Sequence, residues 1–479
     1  MSLSEAGHPQ RILSGPLGGE IARFGVPLAL GMGLQTAFNL VDAYLIGQLG
    51  PGVAGPALGA IGICDQLAAL GTIISYGLTV ATGALLSRRA GRADHEGVRR
   101  VVWQSLLLVS LLSVIFGGLG LLGASWLMGD VVGAKGEVLT LGIPYLRVMM
   151  AGSFSIFLLL HLTSVLRALG SSKTPVLLLV LANALNLVLA VVFVYGPGPA
   201  PAAFGWGPVV AEALGVPRMG LQGAAWATLL ARALALLPLA IILVRRLKLL
   251  ERPALRPDWL ILGEIGRLGW PSSAQLVVRI VAMLFTHALV ARMFTSESDQ
   301  SATTALGIVF RLETMALFIG LGWGSAAQTF VGQNLGVGNA ARAKSSGWYA
   351  AGFNALMMAL LALLYRAYGD TIVGFFDADP RVVAAALAYF KWVGLSYIAL
   401  GVGIVLGSAI QGAGATLLAL LLDAAVVLLF QLPLSLLVVL LPQAQVVHLW
   451  QVVALTYFTF ALVHVWSYRR GRFLRAQVA

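Results

Sequence analysis

The chain has 479 residues, of which 59% are hydrophobic and only 10% charged. Water-soluble domains carry about 25% charged residues, so this composition excludes an ordinary soluble protein and makes lipid the expected solvent. The net charge of +12 would suit nucleic acid, but the placement of the basic residues excludes that reading.

The start, MSLSEAGHPQ, is polar and leads into no short apolar run, so no cleavable signal is expected and the first span serves as the insertion signal. A helix needs about 20 apolar residues to cross a bilayer. About twelve stretches qualify: 21–49, 54–86, 98–126, 138–166, 174–195, 220–245, 268–292, 302–331, 342–365, 381–410, 415–441 and 443–467. None shows the alternation of a barrel strand, and backbone polar groups in lipid must be satisfied within the segment. The predicted fold is therefore all-α and polytopic.

With the amino terminus inside, Arg88, Arg89, Arg92, Arg99 and Arg100 fall on the same side. So do Arg245, Arg246, Lys248, Arg252, Arg256 and Arg267, and the tail residues Arg469, Arg470, Arg472 and Arg475. Lys135, Arg218 and Arg381 fall on the other side. This is the positive-inside bias. It predicts a plasma (inner) membrane protein with both termini cytoplasmic and no nucleic-acid partner. Segment 196–219, rich in Gly and Pro, is expected outside as a rigid loop or small lid. Cys64 is the only cysteine and lies within a span, so neither a disulfide nor a cysteine metal site is expected.

The chain also repeats itself. Gly25-Val26-Pro27 returns as Gly269-Trp270-Pro271, LLSRRAGRA from Leu85 returns as FVGQNLGVG from Phe330, and RALGSSKTP from Arg167 returns as QGAGATLL from Gln411. Fixed-offset similarity in a membrane protein marks duplicated transporter halves. Six spans per half is an even number, so the halves share an orientation and two pseudo-symmetric six-helix bundles are predicted. Residues 1–246 form one lobe, 247–267 a cytoplasmic linker, and 268–479 the second lobe with its basic tail. Within the linker, residues 259–266 are expected as an amphipathic surface helix.

NLVDAYLIGQLG (39–50), LRALGSSKTPVLLLVLANALNLVL (166–189) and GIVFRLETMALFIGLGWGSAAQTFVGQNLGVGNAARAK (307–344), with the duplicated plan, resemble the multidrug and toxic compound extrusion (MATE) transporters. The resemblance covers essentially the whole chain. It implies export of organic, often cationic, compounds in exchange for protons or sodium ions, by a monomer in the lipid bilayer. It also exposes departures. One branch of the family carries acids where this chain has Arg279 and, in the tenth span, near Leu400; another carries an Asp where this chain has Ala190. These losses favour a proton over sodium as the coupling ion, with no other cofactor.

Charges inside a bilayer cost free energy and are default site candidates. Asp42, in the outer half of the first span, is expected to couple the ion, with Asn39 and Asn186 as partners. Gln35, Phe38, Arg279, Thr286, Glu313 and Met315 are expected to line the substrate cavity. Arg279 and Glu313 are expected at similar depth on consecutive helices, as a structural ion pair or as a charge that selects substrate. Residues two apart do not share a helix face, so Arg311 is not expected to pair with Glu313. Asp65 and Asp423 are possible functional acids, and Lys391 and Arg232 are expected to pair or snorkel. His161, His287 and His464 are expected as core histidines.

No enzyme motif stands out, and without a nucleotide motif transport is expected to be secondary. Two other readings stay open at this point. One is a lipid-linked sugar flippase of the same superfamily; the other is a membrane-embedded transferase, which should show an acidic or His-Asp cluster at one membrane face.

Overall fold

The computed structural model describes residues 8–50, 52–249, 256–296 and 299–476, apart from the side chains of residues 8, 9, 35–41 and 43. Among the described residues nine helices are long and apolar enough to cross a membrane, and two further spans are bent pairs. Leu17–Gly47, a 31-residue helix about 46 Å long at 1.5 Å per residue, completes the expected twelve.

The first lobe holds Leu17–Gly47, Ala54–Gly91, His95–Val131, the pair Gly136–Ala151 and Ser153–Ala168, Lys173–Tyr195 and Gly220–Leu247. The second holds Trp259–Met293, Ser301–Gly336, Ala340–Gly374, the pair Pro380–Val393 and Ser396–Gly412, Thr416–Val439 and Val446–Arg470. We number these spans one to twelve. The duplication is visible in their irregularities. Spans one and seven each carry an internal proline, Pro27 and Pro271. Spans four and ten are each broken near a glycine, bending by 42° and 59°.

Two connections differ from expectation in detail. Residues 259–266 are the opening turns of span seven, which runs unbroken from Trp259 to Met293. Asp258 caps that helix, its side chain accepting from the main-chain N–H of Leu260 and Ile261, so the helix starts at the cap and continues into the membrane. The segment at 196–219 contains a short helix, Trp206–Ala213, packed on span five.

The lobes meet along spans one and eight, two and seven, and two and eight. The three repeated landmarks converge here. Side chains of the second lobe donate across the seam to main-chain oxygens of the first, among them Ser273 to Ile73 (3.0 Å), Gln328 to Val80 (2.9 Å), Thr329 to Arg167 (3.3 Å) and Gln333 to Ala168 (2.8 Å). Most of these positions lie in the half of the spans nearer the two termini. Glycines let the helix backbones approach closely there. A Cβ on Gly91 would run into the Gln333 carbonyl, and one on Gly336 into the Arg88 carbonyl.

Gly91→Leu should therefore force the lobes apart at this end. The expected cost is about 1–3 kcal/mol, as for other overpacked sites, read as a lower melting temperature in detergent. An unchanged melting temperature would mean that the seam yields without cost.

Candidate functional site

Two acid centres occupy the lobes, one in each. In the first lobe Asp42, on span one, faces Asn186 on span five. The Asn186 amide nitrogen lies 2.9 Å from one carboxyl oxygen and 3.0 Å from the other. Thr228, on span six, donates to the Asn186 amide oxygen at 3.0 Å. That bond and the carboxylate together fix the amide, because a flipped Asn186 would turn its oxygen onto Asp42. Arg232, one turn beyond Thr228, is the cation in electrostatic reach of both Asp42 and Asp65. It thus faces the acids of its own lobe rather than snorkelling outward.

Asn186 takes the partner role expected of it. Asn39, Gln35 and Phe38 belong to the first span, and their side chains lie outside the described residues. Thr228 was not anticipated. Its signal is the polar side chain it places inside a run of alanines and leucines on span six.

In the second lobe a cavity of about 220 Å³ opens among spans seven, eight, ten, eleven and twelve. Its walls are largely apolar, with Met283, Phe310 and Phe460 among them, and Arg279, Thr286 and Glu313 line it. Met315 instead packs into the apolar core of this lobe. The helix period explains the difference: positions 306, 310, 313, 314 and 317 share the cavity face of span eight, and two residues beyond Glu313 the chain has turned away.

The expected Arg279–Glu313 pairing is replaced by two separate arrangements. Arg279 Nε lies 2.7 Å from Asp423 Oδ2, an ion pair between spans seven and eleven. The Arg279 side chain is 25% exposed, towards the cavity, and that of Asp423 only 1%. The guanidinium also lies over the Phe460 ring, 5.5 Å from its centre. Glu313 is held by two phenols: Tyr389 donates to one oxygen at 2.5 Å and Tyr457 to the other. Tyr389 is braced edge-on by Trp450, 4.9 Å between ring centres. Arg311, two residues from Glu313, is exposed.

The Arg279–Asp423 pair was detectable in principle. Both it and the Asn186–Asp42 bond join residues 144 apart in sequence. Spans seven and eleven are the repeat counterparts of spans one and five. The second pair, however, sits seven positions short of the landmark offset, about two helical turns or 10 Å along the helices.

The histidines divide. His161 is buried, with Nε2 2.9 Å from the Ser105 hydroxyl, as a core histidine should be. His287 lines the cavity, and its Nδ1 lies 3.0 Å from the Met283 carbonyl. His464 is buried against Asp423. Lys391 is exposed.

Comparison with known proteins places this architecture. The family model described as MatE matches the chain twice, over residues 27–192 and 277–437, once in each lobe. The chain is 28% identical over 407 residues to a Bacillus subtilis protein named "probable multidrug resistance protein YpnP", covering 84% of each. It is 26% identical over 429 residues to a Shewanella oneidensis protein named as an FAD transporter, covering 88% of each. Among solved structures, it aligns with a MATE transporter in the straight conformation at a TM-score of 0.84 and 25% identity, over 97% of this chain and 98% of the other. A Pyrococcus furiosus MOP-superfamily transporter, described as having a binding pocket of reversed polarity, shares the fold at a TM-score of 0.84 and 24% identity, over 98% of each.

Proposed function

Since the chain belongs to the MATE family of membrane transporters, we propose that it exports organic compounds, cationic ones above all, in exchange for protons. The observation that carries this reading is the Asp42 centre. A carboxylate within a membrane-spanning bundle, held by the neutral donor Asn186, gains or loses a full charge on binding one proton. Proton occupancy therefore changes the energetics of the first lobe, which is what a coupling ion must do to bias two conformations.

The same geometry favours a proton over sodium. A sodium site needs several oxygen ligands, as hard cations do. Asn186 presents its N–H group to Asp42, and its oxygen is engaged by Thr228.

For the cargo, Arg279 is balanced by Asp423, so among the described residues Glu313 is the carboxylate of the cavity wall without a cationic partner beside it. Apolar walls around one carboxylate suit a bulky organic cation. A dinucleotide such as the one named for the Shewanella relative, being anionic, would meet Glu313 unfavourably. The bias of basic residues supports cytoplasmic termini, and both centres are complete within one chain, as a monomer requires.

The test is efflux of ethidium from everted membrane vesicles. A proton gradient imposed at zero sodium should drive transport, and a sodium gradient at clamped pH should give little. Strong sodium-driven efflux that ignores the pH gradient would overturn the assignment of the ion.

A further inference from the structure

We propose that His464 and Asp423, in the second lobe, form a proton-binding site of their own, separate from Asp42.

The argument is a count of hydrogens. His464 lies on span twelve and is fully buried. Its Nδ1 is 2.9 Å from the main-chain oxygen of Phe460. A carbonyl oxygen only accepts, so Nδ1 carries the hydrogen, and a neutral imidazole has only that one. Nε2 then faces Asp423 Oδ1 at 3.3 Å. Among the described residues neither atom has any other hydrogen-bond partner. Without a further proton, a nitrogen lone pair would point at a carboxylate oxygen in a buried site, which is costly. One proton between them removes the conflict. On Nε2 it makes an imidazolium beside a carboxylate; on Oδ1 it makes a carboxylic acid that donates to Nε2. Either way one proton is bound from water, no heavy-atom bond changes, and the charge of the site rises by one.

The surroundings make this occupancy reversible. Span seven supplies Arg279, already bound to the other Asp423 oxygen. Span two supplies the Tyr76 phenol, in electrostatic reach of Arg279 and Asp423. Span ten presents Gly407, whose missing side chain leaves room for the ring. Arg279 alone neutralises Asp423, so the added proton leaves the trio with a net positive charge. The site also has an approach: Asp423 lines the cavity, and His464 stands behind it. Six residues on, span twelve ends at Arg470, about 9 Å away along the helix.

Full-length protein labelled with ¹⁵N-histidine in detergent tests the site. His464→Gln identifies the resonance and keeps a side-chain donor facing Asp423. Between about pH 5 and pH 8 the proton should appear in one of two forms. Either His464 has both ring nitrogens protonated, or an infrared band of a protonated carboxyl is present that Asp423→Asn removes. On alkalinisation the wild type should release one proton more than His464→Gln. A neutral His464 with an ionised Asp423 across the whole range, or equal proton release from the two proteins, would overturn the proposal.

Discussion

Asp42→Asn should yield a protein that inserts and folds yet exports nothing against a proton gradient. The substitution keeps the size of the side chain. Asn186 can still donate to the new amide oxygen, now as one neutral hydrogen bond in place of a charge-assisted one, so the stability loss should stay near 0.5–1.5 kcal/mol. What disappears is titration. One proton falling through about 2 pH units supplies about 2.7 kcal/mol, enough to sustain a roughly hundredfold substrate ratio. With the Asp42 carboxyl gone from the coupling centre, the ratio should collapse to that of vesicles lacking the protein. Ethidium efflux with parallel melting curves separates the two effects. Efflux close to wild type would remove Asp42 from the mechanism.

Arg279→Ala should be the most destabilising single change among the polar residues of the second lobe. It leaves Asp423, a carboxylate with 1% side-chain exposure, with His464 alone beside it. Breaking a buried ion pair from one side costs about 3–5 kcal/mol, whereas replacing both partners by apolar groups is often neutral. The cavity opening beside Arg279 admits some water, so the lower end of that range is expected. Arg279→Met combined with Asp423→Leu should recover most of the loss. The coupling energy from the double-mutant cycle is the readout. A value near zero would show that the two side chains stabilise the lobe independently.

Span count and the repeat were legible because hydropathy and fixed-offset landmarks are carried by the chain itself. Depth was legible too: Arg279 and Glu313 do both reach the cavity. The partners were not, because depth leaves a side chain's direction around its helix undetermined. Arg279 turns towards span eleven and Glu313 towards the tyrosines of spans ten and twelve. The phenols gave no charge signal in the sequence. Met315 failed for the same reason, sitting at the right depth on the wrong face. The Asp42–Asn186 bond was legible because Asp42 and Asn186 are polar residues at matching depth on spans one and five.

The seam offers one further consequence. Its donors include Ser273, Gln328, Thr329 and Gln333, which all end on main-chain oxygens. Such acceptors persist whatever side chain the first lobe carries at those positions. Sequence drift in that lobe can therefore alter its centre without eroding the closure, provided the glycines stay small. Each bond exchanged for water costs only about 1 kcal/mol net, so each donor adds a small, separate increment to the closure at this end. Removing them one at a time should shift the resting balance of open and closed forms in small, graded steps.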